Sequence, residues 1–302
     1  MAGETIIELE SYNGEWFTLL GPDKGDRGVF LDQSPSGILS PEPTKALWNQ
    51  HSFQLGADFG GIRIDKRDVL FGALIVDTKD ATWLENYSAW QRAWSFKKTN
   101  KLWVETDGSR RYLELQLSES LDVTTELDPN KLQFGRVGMI CAAGNPRFIE
   151  ADAEFVWVSP TDSMNGTIVW GEFPVRNETD TEVWLKYELQ AYPGAQYVIP
   201  DFSFGDDRHD RADEDASKQI LMPPLLSGEH LLINTDESPK FGQFNSHLDT
   251  QFYIRMKGKS FLYPIPAGTR KTMLPIGVRY APAGVGVKIR TPKTWTSSLV
   301  LP

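Results

Sequence analysis

The closest approach to phosphate chemistry in the sequence is Lys257-Gly258-Lys259-Ser260, which contains the Gly-Lys-Ser of a phosphate-binding loop. Such a loop also needs a glycine five positions before Gly258, so that bare backbone can wrap the anion, and Tyr253 stands there. A turn at a strand end is the reading left. Gly284-Val285-Gly286 opens like a dinucleotide fingerprint, yet Ile289 takes the place of the third glycine and no helix is expected behind it. The four histidines, His51, His209, His230 and His247, are scattered without the paired helical spacing of a zinc protease, so no metal ligand set is expected. No Gly-x-Ser-x-Gly elbow is present, although a triad assembled from distant positions stays open. A glycoside-cleaving carboxylate pair also stays open, because among 41 acidic residues some pair will be close by chance. The single Cys141, set among Met139, Ile140, Ala142 and Ala143, reads as a buried structural thiol without a base and excludes an internal disulfide. No catalytic residue, cofactor or metal site is expected.

A denser set of ionisable groups runs from Asp206 to Lys218, where Asp206, Asp207, Asp210, Asp213, Glu214 and Asp215 interleave with Arg208, His209 and Arg211. It lacks the Asp-x-Asp-x-Asp-Gly order of a calcium loop. It reads as a solvated loop of mixed sign, or more sharply as a docking loop for another protein. The formal charge of the chain is −10, and an acidic surface repels the phosphate backbone that supplies most nucleic-acid affinity. Residues 1–147 hold 16 basic and 21 acidic side chains and the remainder 15 and 20, so neither part is a basic arm. The start of the chain lacks the positive flank and apolar stretch of a signal peptide, and no later run is long enough to span a bilayer. A soluble chain made in a cytoplasm, with no nucleic-acid or membrane partner, is expected.

The elements behind these residues are mostly strands. At 302 residues two cores are expected, and 16 Phe, 9 Tyr and 10 Trp let each be built without disulfides. Ile6 to Glu10 and Trp16 to Leu20 flank Asn13-Gly14, a pair that favours a type I′ hairpin turn. Residues 21–45, rich in Gly and Pro, read as an irregular excursion with at most a short strand at Val29 to Leu31, long enough to reach a neighbouring chain. Strands are expected at Ser52 to Leu55, Ile62 to Ile64 and Val69 to Val76. Trp83, Tyr87, Trp90 and Trp94 share one helical face, capped from Thr78 or Asp80, which suits packing on a sheet and, less readily, a sugar platform. A second hairpin joins Leu102 to Thr106 and Arg111 to Leu117 through Asp107-Gly108, and Val137 to Ala142 is an apolar strand. After a boundary at Gly144-Asn145-Pro146 the chain reads as purely β. Alternation at Val183 to Gln190 and Phe252 to Lys257 argues for a sandwich, with further strands near Glu154 to Val158, Thr167 to Phe173, His230 to Asn234, Lys259 to Tyr263, Gly277 to Tyr280 and Val285 to Arg290.

Three stretches of the second half carry a resemblance: Gly144-Asn145-Pro146-Arg147-Phe148; Asn177 to Glu182 leading into Trp184, Tyr187 and Tyr192-Pro193-Gly194; and Ser227-Gly228-Glu229-His230 continuing to Asp236. In these the chain resembles the distal tail protein family of long-tailed bacteriophages, nearest to minor tail proteins of phages infecting actinobacteria. The resemblance spans nearly the whole chain in order and size. It implies a mainly β fold, in which an N-terminal β-fold belt domain with one α-helix (1–147) precedes a galectin-like β-sandwich (148–302). It also implies a homo-oligomer, a six-fold ring at the distal end of the virion tail that joins the tail tube protein to the central hub and the tail-associated, receptor-binding parts.

A closed ring needs a heterologous interface, and exposed sheet edges can supply one. The candidates for subunit contact are Val29, Phe30, Leu31, Ile38 and Leu39, apolar residues in a segment too rich in glycine and proline to build its own core. Folding back locally is the alternative for the same residues. The competing function is a carbohydrate-binding module, in which Trp157, Trp170 or Trp184 stacks on cell-wall sugars; that reading rests on analogy of fold. A wall hydrolase comes third.

Overall fold

The structure, a computed structural model, describes residues 3–32, 35–124, 127–237 and 239–301. The chain forms two compact units, Met1–Glu150 together with Trp295–Leu301, and Ala151–Thr294.

In the first unit β1 (Ile6–Glu10) and β2 (Trp16–Leu20) form the expected hairpin. Gly14 alone of the turn pair is left-handed (φ 87°) and donates its N–H to the Ser11 carbonyl, so the loop is a longer one than the two-residue type I′ turn. β3 (Val29–Leu31) is a short edge strand; β4 (Thr44–Asn49) and β5 (Asp58–Ile64) form a separate hairpin; β6 (Arg67–Val76) follows. Ser52–Leu55, expected as a strand, lies in the loop joining β4 to β5. α1 (Trp83–Arg92) is capped by Thr82, two residues beyond Asp80, the nearer of the two expected caps. The Glu85 N–H donates to Thr82 Oγ1 at 3.4 Å and the Thr82 N–H to Glu85 Oε2 at 2.7 Å. Trp83, Trp90 and Trp94 are buried, so the aromatic stripe is core and no sugar platform. β7 (Asn100–Thr106), β8 (Ser109–Leu117), β9 (Asp122–Thr124), the one-turn α2 (Pro129–Leu132) and β10 (Phe134–Ala143) complete the unit, which therefore holds two helices where one was expected. The order β2-β1-β7-β8 gives one layer, and β3-β6-β10, with β9 beside β10, gives the other. Their inner faces meet in one core, where Cys141 is fully buried and desolvation pushes its thiol up to about 12, as an inert structural cysteine requires.

The second unit is a two-sheet sandwich. β11 (Phe148–Val158) enters it, followed by β12 (Val169–Val175), β13 (Lys186–Leu189), β14 (Gln196–Pro200), β15 (Gln219–Leu221), β16 (Leu231–Asn234), β17 (Phe244–Ser246), the one-turn α3 (Phe252–Arg255), β18 (Thr272–Arg279) and β19 (Gly286–Trp295). One sheet has the order β17-β16-β13-β19-β11, the other β12-β18-β14-β15. Two expected strands are absent for physical reasons. Phe252 and Met256 are buried while Tyr253 and Ile254 are exposed, a spacing of four that makes Phe252–Arg255 a helical turn. Residues 259–263 join no sheet: the Lys259 N–H closes a turn on the Met256 carbonyl, and side chains take the next N–H groups, Gln243 accepting from Phe261 and the Asp201 carboxylate from Leu262 and Tyr263 at 3.0–3.2 Å. Lys257-Gly258 accordingly turns out of a helix and not out of a strand, with Lys257 at φ 51° and Gly258 at φ 80°.

Candidate assembly surfaces

The hairpin of β4 and β5 is an arm. Every residue of β4 is exposed, and so is all of β5 except Gly61, which is half-buried. The register pairs Ala46 with Ile62 and Trp48 with Phe59, so the strand alternation puts Trp48, Phe59, Ile62 and Ile64 on one face, opposite Lys45, Asn49 and Arg63. Trp48 and Phe59 meet edge-to-face with ring centroids 5.7 Å apart and remain 62% and 61% exposed. At the tip Phe53 and Leu55 are fully exposed, and Phe53 is held at φ 69°, a conformation that a bulky side chain seldom adopts. Ion pairs from Lys45 and Arg63 to Asp65, each 2.8 Å, fasten the base of the arm.

The second surface is the outer face of β6 and β10. Their inner residues, Val69, Phe71, Ala73, Ile75, Val137, Met139 and Cys141, fill the core. The outer residues are mostly apolar or small, Leu70, Gly72, Leu74 and Val76 on β6 and Phe134, Gly138, Ile140 and Ala142 on β10, with Leu70 and Phe134 44% and 50% exposed; the charged exceptions are Asp68 on β6 and Arg136 on β10, which pairs with Asp32 at 3.0 Å. A groove of about 600 Å³ runs over this face between Leu74, Leu127, Leu132 and Phe134.

The five candidates of residues 29–39 separate. Val29 and Ile38 are fully buried in their own unit, Phe30 and Leu31 are half-buried, and Leu39 is exposed. Arg67 explains the fold-back at Ile38: its buried guanidinium donates to the carbonyls of Gly37, Ser40, Pro146 and Thr296, and Ser36 bridges to Leu70. Gly37 at φ 81° lies so close to the Asp68 carbonyl that a Cβ would be 2.1 Å from it. Phe30, paired with Leu74 across β3 and β6, borders the apolar face. The arm escaped the sequence reading because its connecting loop is long and lacks a two-residue turn pair; its aromatic alternation at Trp48 and Phe59 was the available signal.

The charged segment 206–218 is not simply a solvated loop. Asp215 is buried, accepts from the Tyr263 hydroxyl at 2.9 Å and pairs with Arg211 and Lys218; Lys218 also reaches the buried Asp201 at 2.8 Å. Burial alone would raise the Asp215 carboxyl, but the Tyr263 hydroxyl and the two cations outweigh it and hold the group below its ordinary range. Glu229 behaves alike: burial is opposed by Arg255, Thr250 and the Leu226 N–H, and the carboxyl stays depressed. Among the described residues no group of three His, Cys, Asp or Glu is placed to hold a metal. Among the described residues no helix is long and apolar enough to cross a membrane.

On the sandwich, Trp157 is buried, the Arg208 guanidinium sits 5.8 Å over the Trp184 ring, and Trp170 is half exposed. A shallow groove of about 400 Å³ over β13, β16 and β19 has His230, Val156 and Leu232 in its lining and no Trp, Tyr or Phe among the described residues.

No family model matches the sequence. The chain is 30% identical to minor tail protein Gp27 of Mycobacterium phage D29 and 29% identical to Gp27 of Mycobacterium phage L5, over 98% of this chain and of each relative. Among solved structures, the Dit protein of phage SPP1, described as a paradigm of the hub adsorption apparatus in phages infecting Gram-positive hosts, matches with a TM-score of 0.59 at 8% identity, covering 96% of this chain and 98% of that one. A chain of the phage P2 baseplate in its activated conformation matches with a TM-score of 0.51 at 12% identity, covering 97% and 98%. At these identities the structural likeness is one of fold.

Proposed function

The chain belongs to the family of distal tail, or minor tail, proteins of phages that infect actinobacteria, and on that premise we propose that six copies close a ring joining the tail tube to the central hub. Membership makes it a structural component of the virion's tail tip. In this reading residues 1–147 form the ring, residues 148–302 are a galectin-like sandwich turned toward the adsorption parts, and the chain performs no catalysis.

The observation that carries the reading is the amphipathic arm of β4 and β5. An isolated two-stranded hairpin is marginal in water, both its edges carry open donors and acceptors, and its apolar face lies bare. Such an element is stable in a partner's presence, which a ring subunit has on both sides. Sugar binding is less well supported, since Trp157 lies in the core and Arg208 covers Trp184.

Light scattering followed by negative-stain imaging tests the proposal. The expected result is a six-fold ring with a central opening and six times the 34.1 kDa chain mass, found free or on isolated tails, with labelled antibody binding only at the distal tip. A protein that is monomeric at high concentration and absent from the tip of assembled tails would overturn it.

A further inference from the structure

Resting on the ring reading, we propose that the arm of one copy docks by its tip and apolar face onto the bare outer face of β6 and β10 of the next copy, and that this is the contact that closes the ring.

The argument begins with the sequence of the two strands. Val69-Leu70-Phe71-Gly72-Ala73-Leu74-Ile75-Val76 and Val137-Gly138-Met139-Ile140-Cys141-Ala142-Ala143 are near-continuous apolar runs, the composition of strands covered on both faces. Within the chain one face is buried in the core, while the other stays half-buried to exposed. Gly72 and Gly138 stand on the outer face, where a Cβ at Gly72 would lie 3.0 Å from the Asp32 side chain and one at Gly138 3.7 Å from the Asp122 carbonyl, so the apolar part of the face is Leu70, Leu74, Phe134 and Ile140. Phe134 and Leu132 wall the groove, which has room for several large side chains.

The arm has the complementary shape and chemistry. Phe53 and Leu55 project fully into solvent, and Phe53 takes its left-handed conformation within the turn that the Gln54 N–H closes on the His51 carbonyl at 3.1 Å. With Trp48, Phe59, Ile62 and Ile64, the arm offers on the order of 700 Å² of apolar surface, close to one partner's share of a standard stable interface.

The occupant follows from the pairing of the two surfaces on one chain. A heterologous ring needs two different patches per subunit, each meeting the other patch of a neighbour, so that closure leaves neither uncovered. A second copy satisfies the arm and the face together. A different protein on the face would leave the arm without a cover.

The test uses phage tails carrying Phe53→Cys and Phe134→Cys in the same chain, treated with a short bis-maleimide; Cys141 is buried and does not compete. A ladder of covalent multimers up to the ring size, absent from either single variant, is the expected result. Tails that assemble with the double variant at their tips and give no ladder overturn the docking while leaving the ring intact. If even the unaltered protein is missing from tail tips, the ring reading fails and the docking with it. A charge pair guards against a variant that cannot assemble. Phe53→Lys is expected to reduce ring formation at least tenfold, and adding Phe134→Glu to restore it. Wild-type assembly of Phe53→Lys, or a block that Phe134→Glu does not relieve, would assign the arm to another tail protein and overturn the proposal.

Discussion

β6 and β10 in the first unit and β13 and β19 in the second are antiparallel pairs with one face turned into a core, and they treat the other face in opposite ways. On the sandwich ion pairs cross the outer face, Arg290 with Glu188 and Glu154 and Lys288 with Glu154 at 2.8 Å, beside the exposed Val156 and Leu232. On the first unit the outer face is dominated by Leu70, Leu74, Phe134 and Ile140 with two glycines, and an ion pair there runs from Arg136 to Asp32 at 3.0 Å. Strict apolar and polar alternation, as in Val287-Lys288-Ile289-Arg290, marks a strand that ends at solvent. A continuous apolar run marks a strand whose second cover has to come from elsewhere. The docking proposed above assigns assembly to the more apolar of the two faces, and the difference between them is what the following measurements probe.

The sharpest way to break that contrast lies within one strand. Met139→Ala, on the covered face of β10, is expected to lower the stability of the first unit by about 2–5 kcal/mol through lost burial and a residual cavity. Phe134→Ala, on the uncovered face, is expected to change the free chain by no more than about 0.5 kcal/mol. Urea denaturation of the unassembled protein measures both. Equal losses would mean that the chain already covers the outer face.

Acid distinguishes the two units next. Asp215 and Glu229 hold their protons less tightly folded than unfolded, despite burial, because Tyr263, Arg211 and Lys218, and Arg255 and Thr250, favour the ionised forms. A depressed folded value means stabilisation that is present above the ordinary carboxylate range near pH 4 and is lost as pH falls through the lower folded values. In the first unit the depressed carboxyls, Glu15, Asp65 and Glu85, belong to solvent-screened surface contacts. Calorimetry from pH 6 to pH 3 is therefore expected to show the sandwich transition falling several degrees further than that of the first unit, and parallel shifts would refute the assignment of those buried networks.

Those networks also mark where sequence reading stops. The strands around both hairpin turns, the helix with its buried tryptophans, and the alternation from Val183 to Leu189 were all legible, because each rests on a local period that burial enforces. Residues 259–263 look like a strand and are not one, since Asp201 and Gln243 satisfy their backbone from far away in sequence. β14 buries four consecutive residues and so shows no alternation. The candidates at Val29 and Ile38 had the right composition for a contact, but Arg67, 29 residues beyond Ile38, gathers the carbonyls that fold the segment home. The exposed arm was visible only once Trp48 and Phe59 were seen to share one face.

Smaller still is the effect expected at the ionic face. Arg290→Ala removes partly exposed pairs with Glu188 and Glu154 and is expected to cost at most about 1 kcal/mol, less at high salt, with no effect on assembly. Loss of ring formation in this variant would show that the charged face, too, is covered by a neighbour.

The smallest effect on stability is expected at Phe53, and it sharpens the comparison most. A left-handed backbone costs a bulky residue roughly 1 kcal/mol, and glycine would be relieved of it. Glycine also gains freedom in the unfolded chain worth roughly 0.5–1 kcal/mol, which opposes the relief. Phe53→Gly should thus leave the stability of the free chain within about 0.5 kcal/mol of the parent, since the ring it deletes touches nothing that folding buries. Ring formation is expected to fall sharply in the same variant, because the tip loses its anchor. A loss of more than about 1 kcal/mol in urea denaturation would mean that Phe53 packs within its own unit, and the division between a covered face and a face awaiting its cover would have to be redrawn from the arm inward.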